Sequence, residues 1–359
     1  MNDPQAPTST PMPPSAPDAD VSQRGLHQKP VDTTVYDITI IGAGPVGLYG
    51  VYYAGLRGAS TKVIEALKEV GGGLKALYPE KFIYDIAGFP QVRAKDYVDM
   101  AFAQASHYNA TFALGQRVNE LRHRDDDIIE LTTQRELHLT RTVIITAGMG
   151  AFAPRRLDLP GIAELEGRGI HYYLREFESF RHKRVLIVGG GDSAFDYALA
   201  LAPLAKKVDL IHRSERFSAH EETVEKVKRL PVSLHYPNWE TKAVHGSERL
   251  TAVTVVHTQT GEEKRFEVDA CVFNLGFLAN LGPIKNWGLE IVKGAIRVDE
   301  LMRANIPGVY AAGDIVTHPG KIKLITTGCG EIAIAVNHAK TWIDPTAKLS
   351  PGHSSHMKH

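Results

Sequence analysis

The stretch YDITIIGAGPVGLYGVYYAGLRGASTKVIEAL, residues 36–67, decides the fold of this chain. An apolar strand pattern runs into a glycine-rich turn, and an uncharged helical pattern follows the turn. The G-x-G-x-x-G spacing falls on Gly42, Gly44 and Gly47, with Pro45 inside it. The first glycine permits a tight turn, the second lets a pyrophosphate approach the backbone, and the third lets the helix pack on the strand. The helix N-terminus offers free N–H groups and a positive dipole end to phosphate.

A second short strand, residues 62–64, ends on Glu65, 23 residues after Gly42. A carboxylate at that distance can accept hydrogen bonds from a ribose 2′-hydroxyl. Residues 38–56 are 19 residues without a charge, which is long enough for a membrane span. However, five of them are glycine and one is proline, at the spacing of a nucleotide fingerprint. We therefore expect a dinucleotide site in a soluble protein.

Length and charge limit the classes of protein that fit. The 359 residues suit two domains, and 41 Lys+Arg balance 41 Asp+Glu, so net charge argues for neither a nucleic-acid nor a membrane partner. Residues 1–33 carry seven prolines and few branched apolar residues, which predicts a disordered arm. No secretory signal pattern is present, and we expect a cytoplasmic location.

The strand–turn–helix–strand pattern occurs a second time, over residues 184–213. Its turn consists of Gly189, Gly190, Gly191, Asp192, Ser193 and Ala194. Counting 23 residues from Gly189 reaches His212, and Arg213 and Arg216 follow. Guanidinium groups suit a ribose 2′-phosphate, whereas the acid of the first repeat suits a free hydroxyl. The contrast predicts FAD at the first turn and NADP(H) at the second, with a solvated basic turn as the alternative for the second.

Three further segments have patterns that bear on the site. Residues 71–90 are too rich in Gly, Pro and aromatics for a regular element, and predict a segment over a ligand or partner surface, or else a packed loop. Strand patterns over residues 111–146 end at Ala147 and Gly148, a small turn that permits close approach of a cofactor. A late apolar strand ends on Gly313 and Asp314, whose carboxylate can accept hydrogen bonds from a polyol such as a ribityl chain.

The remaining elements follow from periodicity. Residues 96–108 predict a helix with one face made of Tyr97, Met100, Ala101 and Gln104. Residues 230–269 predict strands with a hairpin at Thr260 and Gly261, residues 270–275 a buried strand, and residues 330–340 a helix. The two cysteines, Cys271 and Cys329, form no C-x-x-C pair, which excludes a dithiol redox motif.

The two glycine turns, the late YAAGDI motif and the runs ALYPEKFIYDIAGFP, VIITAGMGAF and LGPIKNWGLEI resemble the thioredoxin-reductase-like ferredoxin/flavodoxin–NADP+ reductases (type 2). The resemblance covers the chain from about residue 35 onward. It implies an α/β fold with two Rossmann-like (three-layer ββα) dinucleotide-binding domains. The implied FAD-binding domain is residues 34–160 and 278–345, the NADPH-binding domain is residues 161–277, and residues 346–359 form a tail over the flavin. It also implies a homodimer with ferredoxin or flavodoxin as partner.

The resemblance assigns roles residue by residue. Tyr78 would stack on one flavin face and His353, with Ser354 and Ser355, would cover the other. Val118 would contact adenine through its backbone, and Phe152 would lie near the flavin. The implied FAD-site residues are Gly42, Gly44, Pro45, Gly47, Glu65, Gly72, Gly73, Leu74, Tyr78, Val118, Ala147, Gly148, Phe152, Gly313, Asp314 and Ser355. The implied NADPH-site residues are Gly189 to Ala194, His212, Arg213 and Arg216.

Two departures from the family pattern affect these roles. Leu74 follows Gly72-Gly73 where the family has glutamine, so a side-chain hydrogen bond to the flavin is lost. Ser214 replaces the second arginine of a His-Arg-Arg sequence, which weakens discrimination against NADH.

The expected reaction is hydride transfer from NADPH to the flavin, followed by one-electron transfers to the carrier protein, with no acid–base residue required. For docking, residues 181–184 and Lys321 with Lys323 are basic candidates, and solvated charge is the alternative. A reductase of small disulfides, a quinone reductase or NADPH oxidase, and a non-catalytic flavin-binding module remain alternatives.

Overall fold

The computed structural model describes residues 31–150, 153–278, 280–350 and 352. Two sheets dominate these residues, one mixed with a parallel centre and one entirely parallel, and each carries one of the two glycine turns at the carboxyl end of a central strand. The predicted α/β fold with two Rossmann-like units is confirmed. No helix among the described residues is long and apolar enough to cross a membrane.

The first sheet is built around a long buried strand. Its strands are β1 (Val31–Ile41), β2 (Thr61–Glu65), β5 (Thr111–Leu114), β6 (Val118–His123), β7 (Ile129–Thr133), β8 (Leu137–Ile145) and β21 (Val309–Ala311). The order is β5-β2-β1-β8-β7-β6, and β21 pairs in parallel with β8. Because β1, β2, β8 and β21 run in the same direction, the turns after them meet at one edge of the sheet.

Three helices pack against this sheet: α1 (Pro45–Leu56), α3 (Ala94–Ala105) and α6 (Ile325–Ile343). Small residues make the contacts close, since a Cβ on Gly50 of α1 would lie 2.5 Å from Ile332 Cδ1 of α6. The predicted register of α3 was wrong. Its buried face is Ala94, Val98, Ala101 and Ala105, and Met100 is 45% exposed. Small side chains rather than large ones face the core there, and the helix begins two residues earlier than predicted.

The segment over residues 71–90 contains regular structure, contrary to the prediction. It holds α2 (Gly72–Leu77) and β3 (Phe82–Ile83), which pairs with β4 (Val92–Arg93). Gly71, at φ +114°, makes the left-handed turn that starts α2, and its N–H donates to the Ala43 carbonyl at 2.8 Å. This long-range hydrogen bond, rather than helix propensity, sets the start of α2.

The second sheet consists of β10 (Ile170–His171), β11 (Arg184–Val188), β12 (Lys207–Ile211), β13 (Val232–His235) and β17 (Ala270–Phe273). Its order is β10-β17-β11-β12-β13, with all pairs parallel. Successive β11 side chains point to opposite faces. Val185 and Ile187 pack towards α4 (Asp192–Leu201) and α5 (Glu221–Lys228), whereas Leu186 and Val188 pack towards an antiparallel meander.

That meander, β14 (Trp239–His245), β15 (Ala252–His257) and β16 (Glu263–Glu267), completes three layers. The chain passes between the two units along β9 (Ala153–Pro154) and β18 (Phe277–Leu278), which pair with each other. A small sheet, β19 (Ile291–Val292), β20 (Ala295–Arg297) and β22 (Val316–Thr317), lies near the end of the chain, and 3₁₀ turns cover Phe177–Phe180 and Gly282–Asn286.

The predicted arm, residues 1–33, extends too far along the chain. Strand β1 already begins at Val31, and Asp32 accepts a 2.5 Å hydrogen bond from Lys62 Nζ. Lys62 is 3% exposed, so its ammonium requires a nearby carboxylate. This non-local ion pair recruits residues 31–33 into the sheet. Residues 1–30 of the predicted arm lie outside the described residues.

Candidate dinucleotide-binding sites

The first glycine turn has the geometry that its sequence predicts. Gly42 has φ +110°, and a Cβ there would lie 2.7 Å from the Thr146 carbonyl oxygen. A Cβ on Gly47 would lie 2.0 Å from the Gly42 carbonyl oxygen. The Thr146 hydroxyl donates to that same carbonyl at 2.9 Å, which places Ala147 and Gly148 beside the turn. Only glycine fits at Gly42 and Gly47, because strand, turn and helix pack backbone against backbone.

Gly44 differs from its two neighbours. A Cβ on Gly44 would meet nothing within 4 Å, so the space in front of it is open. Helix α1 starts there with Pro45 in its first turn and no side-chain cap, and its N–H groups stay available to a phosphate. A Cβ on Gly72 would lie 3.1 Å from Gly44 Cα, so the second glycine run, with Gly73 and Leu74, borders the same space. The two runs form one backbone-lined cradle.

Glu65, the last residue of β2, lies beside the first glycine turn. Its carboxylate is 7% exposed and accepts hydrogen bonds from the backbone N–H of Ala43 at 2.7 Å and of Leu67 at 2.8 Å. Burial raises the pKa of Glu65, and these two donors oppose the rise. The Gln116 N–H donates to the Glu65 carbonyl at 2.8 Å, which brings the start of β6 and buried Val118 next to Glu65. A carboxylate oxygen has lone pairs left for a ribose hydroxyl.

Gly313 and Asp314 lie at the end of β21, at the same edge of the sheet. The half-buried Asp314 carboxylate accepts no hydrogen bond from any described residue and is free to accept one from a ligand. The Gly313 N–H donates to Glu331 Oε2 at 2.8 Å. Gly328 of α6 also packs closely here, since a Cβ on it would lie 3.2 Å from Gly313 Cα. These contacts fix the backbone that carries Asp314.

A buried charge cluster behind Gly313 was missed by the sequence analysis. Glu331, 7% exposed, accepts from Lys321 Nζ at 2.6 and 2.7 Å and lies 3.1 Å from His318 Nε2. The Lys321 side chain is itself only 7% exposed. Lys321 is therefore neither a docking cation nor a solvated surface charge, the two alternatives for it, because its ammonium is paired with Glu331 inside the protein. No sequence pattern links Lys321 to Glu331, which follows 10 residues later.

Tyr78 connects the two units. It ends α2, packs against the core of the second unit and shares a hydrogen bond with the Ser193 hydroxyl of α4. Burial raises the pKa of the Tyr78 hydroxyl, and the Ser193 hydrogen bond lowers it. Beside it, Lys81 Nζ lies 2.8 Å from Asp196 Oδ2 and 5.9 Å from the centre of the Tyr78 ring. The first glycine cradle and the second glycine turn are therefore neighbours in space.

The second glycine turn repeats the first with one change. Gly189 has φ +153°, and a Cβ there would lie 2.5 Å from the Asn274 carbonyl oxygen. A Cβ on Gly190 would lie 2.4 Å from the His212 ring, which packs directly over the turn. Ala43 stands at the corresponding place in the first turn, where Glu65 reaches the backbone instead. Burial lowers the pKa of His212, the contact with the Arg216 carbonyl opposes this effect, and Arg213 lowers the pKa further.

The basic residues after His212 remain available to a ligand. Arg213 and Arg216 are exposed, and neither guanidinium makes an ion pair or hydrogen bond with a described residue. The loop around them folds back over the turn, because the Ser218 N–H donates to the Gly190 carbonyl at 2.8 Å. Nearby, the buried Asn274 Oδ1 atom has no hydrogen-bond partner. Free cations and an orphaned polar atom beside a glycine turn fit a phosphorylated nucleotide.

Three predicted site residues, Phe152, His353 and Ser355, lie outside the described residues, as does Ser354. At the start of the tail, the Lys348 carbonyl accepts a 2.6 Å hydrogen bond from Arg57. Among the described residues, no group of three His, Cys, Asp or Glu side chains could hold a metal ion.

Comparisons with known proteins agree with this architecture. A family model described as pyridine nucleotide-disulphide oxidoreductase matches residues 36–338. A protein of Geobacillus thermodenitrificans named ferredoxin--NADP reductase is 48% identical over 91% of this chain and 98% of its own length. One of Halalkalibacterium halodurans with the same name is 48% identical over 90% of this chain and 98% of its own length. The crystal structure of T. acidophilum thioredoxin reductase aligns with a TM-score of 0.75 at 26% identity, covering 87% of this chain and 99% of that one.

The two glycine turns, one closed by an acid and one by a basic cluster, define a two-domain nucleotide-dependent oxidoreductase. The chain belongs to the pyridine nucleotide-disulphide oxidoreductase family. The resemblance to thioredoxin-reductase-like ferredoxin/flavodoxin–NADP+ reductases is confirmed, and so is the expectation of an oxidoreductase.

Proposed function

We propose that this chain is a FAD-dependent reductase that takes electrons from NADPH and delivers them to ferredoxin or flavodoxin. The contrast between Glu65 and the His212–Arg216 cluster at equivalent places in the two repeats carries the proposal. It supports one nucleotide with a free ribose hydroxyl and one with a 2′-phosphate. The names of the curated relatives support the same pair of reactants.

The first cradle fits FAD. The open space at Gly44, the uncapped start of α1 and the Gly72–Gly73 backbone would hold the pyrophosphate, Glu65 the ribose, and Asp314 the ribityl chain. Val118 would contact adenine through its backbone, while Ala147 and Gly148 would permit close approach. Bound there, the flavin would accept a hydride and give up electrons singly. The chain would hold the ring, with Tyr78 against one face and, as the family resemblance implies, His353 against the other.

The second turn fits NADPH. The start of α4 would take the pyrophosphate, and Arg213 and Arg216 would take the 2′-phosphate in charge-assisted hydrogen bonds. Tyr78 and Ser193, which share a hydrogen bond, place this turn beside the flavin cradle. The proposed domain limits follow the two crossings: residues 34–160 with 278–345 for FAD, and residues 161–277 for NADPH. The proposed assembly is a cytoplasmic homodimer.

Docking of an acidic carrier protein needs free cations. In the candidate patch at residues 181–184, Arg181 pairs with Glu178 and Arg184 pairs with Asp269, which leaves Lys183 as the cation without a carboxylate partner among the described residues. Electrostatic docking would therefore depend on Lys183, Lys323 and other surface cations. If it does, carrier turnover will fall with salt, because exposed charges are screened.

The disulfide-reductase alternative is disfavoured by the state of the cysteines. Burial strongly raises the pKa of Cys271, inside β17, and raises the pKa of Cys329 to about 11. Neither would be a thiolate at pH 7, and the thiolate is the reactive form.

The test is turnover with NADPH and with NADH, using ferredoxin and flavodoxin as separate acceptors. Arg213→Ala and Arg216→Ala should each raise the NADPH KM about tenfold or more and leave the NADH KM within about twofold, because only NADPH carries the 2′-phosphate. Arg297→Ala, an exposed arginine of the small sheet that pairs with Glu290, is the matched control. Equal losses with both coenzymes, or turnover with small disulfides but with neither carrier, would refute the proposal.

A further inference from the structure

The carboxyl end of β13 lies beside the proposed 2′-phosphate site. His235, its last residue, is in register with Ile211, the last residue of β12. Three backbone hydrogen bonds continue this pairing beyond the strands: His212 N–H to the His235 carbonyl at 3.0 Å, Asn238 N–H to the Arg213 carbonyl at 3.0 Å, and Trp239 N–H to the His212 carbonyl at 3.4 Å. Two residues, Tyr236 and Pro237, lie between His235 and this paired segment, and the pairing on both sides holds Tyr236 near Arg213.

Tyr236 is the outermost ring of a cluster of tilted and edge-on aromatic rings. Its ring centre lies 4.5 Å from that of Phe217, which in turn lies 4.8 Å from that of fully buried Phe195. The cluster holds Tyr236 in place, yet the residue stays 39% exposed. The exposed part of the ring is therefore held in one position and is open to a ligand at this edge of the sheet.

His212, the other ring at this edge, is less suited to a ligand. It packs over Gly190 and its Nε2 lies 3.2 Å from the Arg216 carbonyl oxygen. His212 therefore has a structural task in the turn. Tyr236 is the ring that reaches solvent.

We propose that Tyr236 binds the adenine ring of NADPH by stacking. This inference rests on the proposed function. In NADPH the 2′-phosphate and the adenine are attached to the same ribose, so the group that binds adenine has to lie next to the residues that bind the phosphate. The backbone pairing places Tyr236 there, and Phe217 supports it from below. Every nucleobase presents a π-face, and an aromatic side chain is the usual partner for it.

The test is calorimetric binding of adenosine 2′,5′-bisphosphate to the FAD-loaded protein, which needs no turnover. Tyr236→Ala should raise its Kd about tenfold, the loss expected for one base–aromatic stack. Tyr236→Phe should stay within about twofold of the wild type, because the phenyl ring keeps the π-face. Tyr236→Leu, which keeps apolar packing on Phe217, should lose binding as the alanine variant does and covers the case in which alanine disturbs the fold. The control is Trp342→Ala, which removes an exposed aromatic side chain from α6 and should leave the Kd unchanged.

A second probe separates adenine contact from damage to the hydride step. Reduced nicotinamide mononucleotide lacks adenine, so its rate of flavin reduction should be the same in the wild type and in Tyr236→Ala. Suppose that the wild type binds the bisphosphate. If Tyr236→Ala then has the same Kd, or if Tyr236→Phe and Tyr236→Ala lose binding equally, the role of Tyr236 is overturned and the proposed NADPH site is not. Failure of the wild type to bind the bisphosphate would instead overturn the proposed NADPH site.

Discussion

Neutralising Glu331 should destabilise the protein more than any surface substitution of the same kind. Glu331→Gln keeps the shape of the side chain but leaves the Lys321 ammonium, 7% exposed, without a counter-charge. The carboxylate takes two hydrogen bonds from Lys321 Nζ and one from the Gly313 N–H, and His318 lies beside it. Breaking one partner of a buried pair costs about 3–5 kcal/mol, because the remaining charge stays buried. The amide oxygen can still accept from Gly313, so we expect about 3 kcal/mol.

The assay is urea unfolding of the FAD-loaded protein, with flavin fluorescence reporting release of FAD and circular dichroism reporting loss of structure. FAD release should shift to lower urea than in the wild type, because Glu331 fixes the backbone that carries Asp314. Glu290→Gln is the matched control: its partner Arg297 is 63% exposed, so the expected cost is below about 1 kcal/mol.

The double variant Lys321→Met with Glu331→Leu separates pairing from packing. With both charges removed, most of the lost stability should return. A cost below about 1 kcal/mol for Glu331→Gln, or a double variant as unstable as the sum of its two single variants, would refute the reasoning.

Three further predictions concern protonation, the contact between the units, and the cysteines. The pKa of fully buried His138 is lowered to about 4 by burial and by Lys62, so the unfolded chain takes up the proton first as pH falls. Titration of His138 should therefore lower the free energy of unfolding by about 2 kcal/mol between pH 6.5 and 5. The loss should be absent in His138→Gln and present in His123→Gln, which changes an exposed histidine. Parallel pH profiles of unfolding for the wild type and His138→Gln would contradict this prediction. Lys81→Ala should speed flavin reduction by NADPH about threefold in stopped flow, since the half-buried ion pair of Lys81 with Asp196 holds the two units together. The double variant Lys81→Ala with Asp196→Ala should be no faster than Lys81→Ala. If the effects of the two single variants add in the double variant, the two residues do not act through one contact. Cys329→Ser should leave carrier turnover within about twofold, and a loss of tenfold would revive the disulfide-reductase alternative.

Features that depend on near neighbours in the chain are predictable from the sequence. The strand–turn–helix units, the glycine spacing and the buried face of α6 (Ile332, Ala335, Val336 and Ala339) all follow from short periods and steric rules. The position of Glu65 also follows, because one βαβ unit has a nearly fixed length. The expected oxidoreductase class rests on these same residues.

Features that depend on distant partners are not predictable in this way. The sequence predicts Lys321 as a surface cation, but in the fold Glu331 of α6 lies against it. The sequence likewise predicts Asp32 as part of a disordered arm, but in the fold it pairs with the buried Lys62. The contact between Tyr78 and Ser193 joins residues of two different units. In each case the deciding term is the desolvation of a charge or a ring, and desolvation is known only once the fold is known.

The difference between Ala43 and Gly190 has a consequence for coenzyme engineering. The His212 ring occupies the space that a methyl group would need on Gly190, whereas the first repeat combines an alanine with a carboxylate. Changing the second site to accept NADH by His212→Glu alone would leave a gap above the turn, because a glutamate side chain does not fill the space of the imidazole ring. Gly190→Ala would fill that gap, so a change of coenzyme at this site has to include Gly190 and His212 as well as Arg213 and Arg216, the proposed 2′-phosphate residues.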